Sequence, residues 1–412
     1  MRRVSLLWMF TYNAPKLGLG VHDMFFNAVA GLFLRDTYHL SNLAIGFLAN
    51  ERSFAGSLLQ PVFGAVSDRS RFRLGRRRPF IFLTFPVTVI SLLLLAFQPP
   101  TWLAFLLFVL GPLALALAVV PYQSLLPDCV GEEQRGTASG IGVFLAMIGS
   151  VGVLLAAKAL WEEHQALVFI LISVSLGLGF LTLIAVSEPK APQRTESSPP
   201  LRPFAYLRDV LSYREAAKYV VCYFLFWFGV GGITPFVTRF ANEELGIPVP
   251  DTLMLMLALV LATLLFAWPA GWLGDRYGKK RVTSCGLLAF GLLTLVGSQV
   301  TSKELILPIL LGVGVAQAVT SVLAYPLFTE LVPAGRIGEL TGVSSMIWSL
   351  AQPFGATTLG AAGDYTGTLR TVILGASIAL LASFVVLQTV RTPASATRGG
   401  TSSAGALGTS LH

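Results

Sequence analysis

Residues 271–281 read GWLGDRYGKKR, directly after the apolar run Leu253–Trp268. Residues 64–69 read GAVSDR and 75–80 read GRRRPF, again between two apolar runs. Gly64 maps on Gly271, Asp68 on Asp275 and Arg69 on Arg276, each at an offset of 207. A second pair of segments repeats at an offset of 202: Asp128, Gly136 and Gly140 map on Glu330, Gly338 and Gly342. Matching loops half a chain apart mean that the sequence consists of two like halves.

The runs around these loops set the fold class. Of 412 residues, 54% are hydrophobic and only 12% charged, about half the charged share of a soluble domain. Mean hydropathy is +0.72. Runs such as Phe80–Phe97 and Trp102–Val120 are continuously apolar, which excludes a β-barrel and specifies membrane-spanning helices. Each needs ~20 residues, so the chain holds about a dozen. Twelve spans are expected, at about 10–34, 42–66, 79–98, 101–125, 137–159, 166–187, 217–241, 252–273, 282–300, 304–328, 339–362 and 369–390. The domains that follow are an N-terminal six-helix bundle (1–187), a Pro- and Ser-rich cytoplasmic linker (188–216), a C-terminal six-helix bundle (217–391) and a disordered tail (392–412). Two six-helix halves with repeated loops are the pattern of rocker-type transporters.

The chain carries a net charge of +8, but its basic residues lie between the spans, where they set topology rather than bind nucleic acid. Of 29 Lys and Arg, 22 fall in the N-terminus, the even-numbered loops, the linker and the tail. Five fall in the odd-numbered loops: Arg35, Lys158, Arg239, Lys303 and Arg370. Both termini are therefore expected in the cytoplasm, with the protein integral to the plasma (inner) membrane. Cys129, Cys222 and Cys285 lie too far apart in sequence for a CxxC metal site or a disulfide framework. With no HExxH and no GxSxG, an enzyme is not expected. No metal or cofactor is expected either, the partners being lipid and a small solute, and the chain a monomer.

The first span carries the most informative polar residues. Lys16, Gly20, Asp23 and Asn27 are spaced 4, 3 and 4, on one helical face. Asp23 lies near the middle of the run, where a carboxylate is expensive and marks function. It is expected to bind solute or proton, or else to pair with Lys16 or Arg52. His22 sits about 100° further round and reads as packing. In span two, Glu51 and Arg52 are candidates for coupling. Farther along, Gln123, Trp348 and Gln352 are candidates for binding solute, since amides bind hydroxyls and aromatic faces stack on sugar rings. Asp68, Arg69, Asp275 and Arg276, with Asp128, Arg135, Glu330 and Arg336, read as gating ion pairs at the cytoplasmic helix ends. Gly140, Gly142, Gly149 and Gly152 in span five suit close helix contacts.

The GxxxDR loops resemble the signature of the major facilitator superfamily. KLGLGVHDMFFN (Lys16–Asn27) resembles the first helix of the glycoside-pentoside-hexuronide:cation symporters, roughly K-L-x-Y-G-x-G-D-x-x-x-N, matching at Lys16, Leu17, Gly20, Asp23 and Asn27. VPYQSLLPD (Val120–Asp128) is similar to the PYxSL segment of that family, and GRRRPF to sucrose transporters. The resemblance implies a twelve-helix sugar transporter driven by Na⁺ or H⁺, with the first-helix Asp on sugar hydroxyls. Where melibiose-permease-like members carry paired acids at the cation site, this chain has Gly56 and Gln60. A sodium site requires several hard oxygen ligands, so a proton is the expected coupling ion. The expectation is thus symport of a sugar or glycoside by alternating access. Proton-driven efflux of an amphiphile is a second reading, and a non-transporting membrane-complex or pigment assembly factor of the same fold a third.

Overall fold

The computed structural model describes residues 4–49, 59, 77–130, 132–186, 212–331 and 337–391. Every regular element among them is a helix. Nine are long and apolar enough to cross a membrane, or ten when one bent pair counts as a single span. Helices suit this setting because each pairs its own backbone groups where no water can.

In the first half these are α1 (Leu6–Ala28), α2 (Ala30–Tyr38), α3 (Asn42–Leu48), α4 (Arg78–Leu95), α5 (Thr101–Cys129), α6 (Glu132–Leu160) and α7 (Gln165–Leu181). In the second half they are α8 (Arg214–Ile233), α9 (Val249–Tyr277), α10 (Lys279–Gln299), α11 (Ile306–Thr329), α12 (Ile337–Thr366) and α13 (Leu369–Thr389). From α4 onward the ends fall within about six residues of the expected spans, except that α8 stops at Ile233, eight residues before the expected end, where short helical turns continue to Glu244.

The first span differs from expectation. It is not one rod: α1 and α2 meet at a 52° bend. At the break, Thr238 Oγ1 donates to the Ala28 carbonyl at 2.8 Å. A side chain inserted into the helical ladder is an ordinary cause of a kink. The bonding partner is 210 residues away, so no local sequence pattern announces the bend.

Two compact units emerge. One holds Met1–Leu201, Gly231–Leu257 and Gln352–Val372; the other holds Arg202–Val230, Ala258–Ala351 and Ile373–His412. In the first unit, α1 packs on both α6 and α7. Lipid supplies no hydrophobic drive between helices, so close packing must hold them together. Small residues provide it. A Cβ added at Gly20 would collide with the Ala146 carbonyl of α6, and one at Gly149 with the Leu17 carbonyl of α1. The four glycines expected to make close contacts in span five divide: Gly142 and Gly149 pack on α1, whereas a Cβ at Gly140 or Gly152 would meet nothing within 4 Å. Beside this seam, Phe25 and Phe33 meet Phe169 edge-on at 5.0 and 4.7 Å between ring centres.

The second unit is built around Tyr219, Tyr223, Phe226, Phe290, Leu327 and Phe328, all buried. The sequence repeat reappears here as a hydrogen bond. In the first unit, the Tyr12 hydroxyl donates to the Tyr122 carbonyl at 2.9 Å. In the second, the Tyr219 hydroxyl donates to the Ala324 carbonyl at 2.7 Å. Tyr219 lies 207 residues after Tyr12, and Ala324 lies 202 after Tyr122. These are the offsets of the loop repeats, so both units use the same link between their first and fourth spans.

Candidate functional site

The open face of α1 carries Lys16 and Asp23. Gly18 and Gly20 are buried by neighbouring helices, while Lys16, Asp23 and Asn27 stay partly open. Lys16 Nζ stands 5.8 Å from the Tyr122 ring centre, a distance suited to cation–π attraction. The Asp23 side chain is 48% exposed although it belongs to a helix otherwise packed on both sides. Among the described residues Asp23 pairs with His22, at 3.1 Å between Oδ1 and Nδ1, rather than with Lys16. Sequence reading placed His22 in packing away from Asp23. It is indeed fully buried, stacked 4.5 Å from Phe26, but its ring reaches across to the neighbouring carboxylate. A 100° step between Cβ atoms does not prevent adjacent side chains from meeting when both rotamers turn inward.

The repeat makes this face distinctive. At the offset of 207, Lys16, Asp23 and Asn27 correspond to Tyr223, Val230 and Thr234. The second half has no charge at these positions.

The other expected residues are placed variously. Gln123 is exposed on α5. Gln352 is 8% exposed and packs where Gly231 leaves room for it. The Trp348 side chain lies outside the described residues, as do Glu51, Arg52, Asp68, Arg69 and Arg336 and the side chains of Asp128 and Arg135. Of the expected gating residues, Asp275 and Arg276 are exposed at the end of α9, with the Arg276 guanidinium 5.2 Å from the Trp272 ring centre. Glu330 accepts from Lys279 Nζ at 2.7 Å, a pairing within its own unit.

A polar cluster that the sequence reading missed lies at the other ends of the helices. Arg239, counted there as a loop charge, has a side chain only 1% exposed. It donates to both Glu243 carboxylate oxygens, at 3.0 and 3.1 Å, and to Asn42 Oδ1 at 2.6 Å. Asn42 begins α3, and its backbone N–H, with that of Leu43, donates to the Asp364 carboxylate at 2.8 Å each. A carboxylate at a helix N-terminus satisfies orphan N–H groups and opposes the helix dipole. Gly46 and Gly360 tighten the same contact: a Cβ at Gly46 would strike the Ala356 carbonyl, and one at Gly360 the Asn42 carbonyl. Glu244 similarly accepts from Thr368 Oγ1 at 2.6 Å and from the Leu369 N–H at 2.9 Å. The only local hint was the Arg239–Glu243 spacing of four.

The model of the family described as MFS/sugar transport protein matches residues 11–366. The chain belongs to this family. Its members are transporters rather than enzymes, so this is a membrane-embedded protein of a family that moves small molecules. The fosmidomycin resistance protein of Escherichia coli (strain K12) is 24% identical over 371 residues, 86% of each chain. The general alpha-glucoside permease of Schizosaccharomyces pombe is 30% identical over 162 residues, 33% of this chain and 29% of that one. Among solved structures, the nucleoside transporter NupG has a TM-score of 0.74 at 14% identity, covering 94% of this chain and 100% of its own. A bacterial homolog of the human lysosomal transporter Spinster has a TM-score of 0.72 at 15% identity, covering 94% and 98%. These likenesses establish the major facilitator fold.

In this MFS/sugar transport family member, the cap on α3 yields a direct prediction. Asp364→Ala removes the acceptor for two N–H groups, a loss of about 1 kcal/mol, or roughly fivefold in a local opening equilibrium. Hydrogen exchange at the start of α3 is expected to accelerate by about that factor, with α10 unchanged. Unaltered exchange at Asn42 and Leu43 would show that the cap does not hold this end.

Proposed function

We propose that the protein is a secondary active transporter that accumulates a small hydroxylated solute, most simply a sugar or glycoside, by proton symport with alternating access. The supporting observation is Asp23: a half-exposed carboxylate in the middle of a buried, apolar helix, with Asn27 a turn beyond and Lys16 two turns before. A carboxylate accepts two hydroxyl hydrogens and an amide both donates and accepts, the pattern by which sugars are recognised. Gln123 and Gln352 supply further amides, and Trp348 an aromatic face. Glu51 and Arg52 are coupling candidates by their place in the sequence. A proton is favoured over sodium because Gly56 and Gln60 offer at most one neutral oxygen. No metal or other cofactor has a part in the cycle.

The basic residues orient both termini to the cytoplasmic side of the inner membrane. Asp68, Arg69, Asp275, Arg276, Asp128, Arg135, Glu330 and Arg336 are the candidates for cytoplasmic gating by their place in the sequence, and Arg239, Asn42 and Asp364 form a latch at the opposite helix ends. A gate requires only a few kcal/mol shifted between states. The monomer suffices for this cycle.

The match to a resistance protein over 86% of the chain favours one rival, expulsion of a compound rather than uptake. Transport into proteoliposomes separates the two. Labelled sugars and glycosides are offered with an imposed proton gradient, then a sodium gradient. Accumulation under the proton gradient is the expected result. Accumulation under sodium alone overturns proton coupling. Absence of sugar accumulation in folded protein overturns the uptake reading and leaves efflux or the assembly role.

A further inference from the structure

His22 is fully buried and stacked on Phe26, and its Nε2 is enclosed with no hydrogen-bond partner among the described residues. Its Nδ1 lies 3.1 Å from Asp23 Oδ1. These facts restrict the ring's proton. A proton on Nε2 would bury an unpaired donor and set the Nδ1 lone pair against a carboxylate oxygen. An imidazolium would bury the same unpaired donor, its added charge offset only in part by the half-exposed Asp23 carboxylate. Both are costly away from water. A neutral ring with its proton on Nδ1 avoids both, leaving only a lone pair at Nε2. In that form Nδ1–H donates to Asp23 Oδ1.

We propose that His22 is a positioning residue for Asp23: it holds Oδ1 through a neutral Nδ1–H donor, fixes the carboxylate plane and leaves the second oxygen for the solute. The role rests on the reading of Asp23 given under Proposed function. Burial on one side makes the donor rigid, while the 48% exposure of Asp23 keeps its free oxygen accessible. A fixed carboxylate loses less freedom when solute binds, which favours affinity. The other charged or titratable groups near this arrangement are Tyr12 and Lys16 on α1 and Tyr122 on α5. Among the described side chains, the elements packed on α1 add Lys158 of α6 and Arg35, Asp36 and Tyr38 of α2. Glu51 and Arg52 of span two lie outside the described residues.

Two measurements test the proposal, and the first needs no transport. The chain has four histidines, so nitrogen-15 spectra of histidine-labelled protein in bilayers are simple, and His22→Asn identifies the His22 signal by its loss. A neutral ring protonated on Nδ1 is expected, with that signal moving in Asp23→Ala. A ring protonated on Nε2, or a signal indifferent to Asp23→Ala, overturns the proposal. The second measurement is uptake of whichever panel sugar the wild type accumulates. The amide nitrogen of Asn falls near Nδ1 and that of Gln near Nε2. His22→Asn is therefore expected to keep KM within about threefold, whereas His22→Gln and His22→Phe raise it about tenfold or more with a smaller effect on maximal rate. Equal impairment in all three variants, each shown to be folded by its unfolding temperature, overturns the role. Wild-type protein with the expected tautomer but no solute transport overturns the reading of Asp23 beneath it. Transport with an Nε2-protonated ring overturns the positioning role alone.

Discussion

Asp23→Asn is expected to reduce proton-driven solute accumulation by roughly 10- to 150-fold, while the protein remains folded and monodisperse. The estimate follows from the chemistry removed. A hydrogen bond to a charged group contributes about 1.5–3 kcal/mol, and each ~1.4 kcal/mol is a factor of ten. Asparagine keeps the volume and one acceptor oxygen, so packing changes little. It loses the charge, one acceptor and the ability to take up a proton. The side chain is half exposed, so its replacement leaves no buried cavity. Asp23→Glu keeps the charge but displaces it by one methylene, and should retain partial activity. Uptake in proteoliposomes, beside unfolding temperatures for both variants, checks this. Undiminished accumulation in Asp23→Asn would remove Asp23 from the cycle.

Gly20→Val should produce the largest structural effect. The new Cβ would lie within contact distance of the Ala146 carbonyl, carbonyl carbon and Cα, all backbone atoms that no side-chain rotation can move. The helices must separate, and α1 then loses its closest contact with α6. Overpacking costs about 1–3 kcal/mol where side chains can adjust and more where they cannot. A fall in unfolding temperature of roughly 10 °C, or loss of folded protein, is expected. The partner helix α6 supplies the control. Gly140→Ala and Gly152→Ala point into open space and should be neutral or stabilising by about 0.5–1 kcal/mol, since alanine favours the helix. Equal losses at Gly20 and Gly152 would contradict the packing described.

The contrast between those glycines shows what was legible in the sequence. Hydropathy and length located the helices from α4 onward, because a bilayer imposes one thickness on every span. The offsets of 207 and 202 revealed the two halves and were matched by the links of Tyr12 and Tyr219. Spacing along α1 placed Lys16, Asp23 and Asn27 on one face, which is a property of a single helix. The remainder depends on which helix lies opposite. Nothing local distinguishes Gly149, which packs on Leu17, from Gly152, where an added Cβ meets no described residue within 4 Å. The bend after Ala28 comes from Thr238, and the burial of Arg239 is completed by Asn42, 197 residues away. The packing of His22 was legible, but its contact with Asp23 was not, because angular spacing describes Cβ positions and not where a long side chain ends.

Solute counterflow tests the central claim most directly, because it requires binding and alternating access but no ion gradient. Proteoliposomes are loaded with an unlabelled sugar or glycoside, diluted into a trace of the labelled compound with no gradient imposed, and sampled over time. For at least one member of the panel, the wild type should accumulate label transiently, and Asp23→Asn should reach less than about one-tenth of that peak. Counterflow in Asp23→Asn equal to wild type would contradict the account.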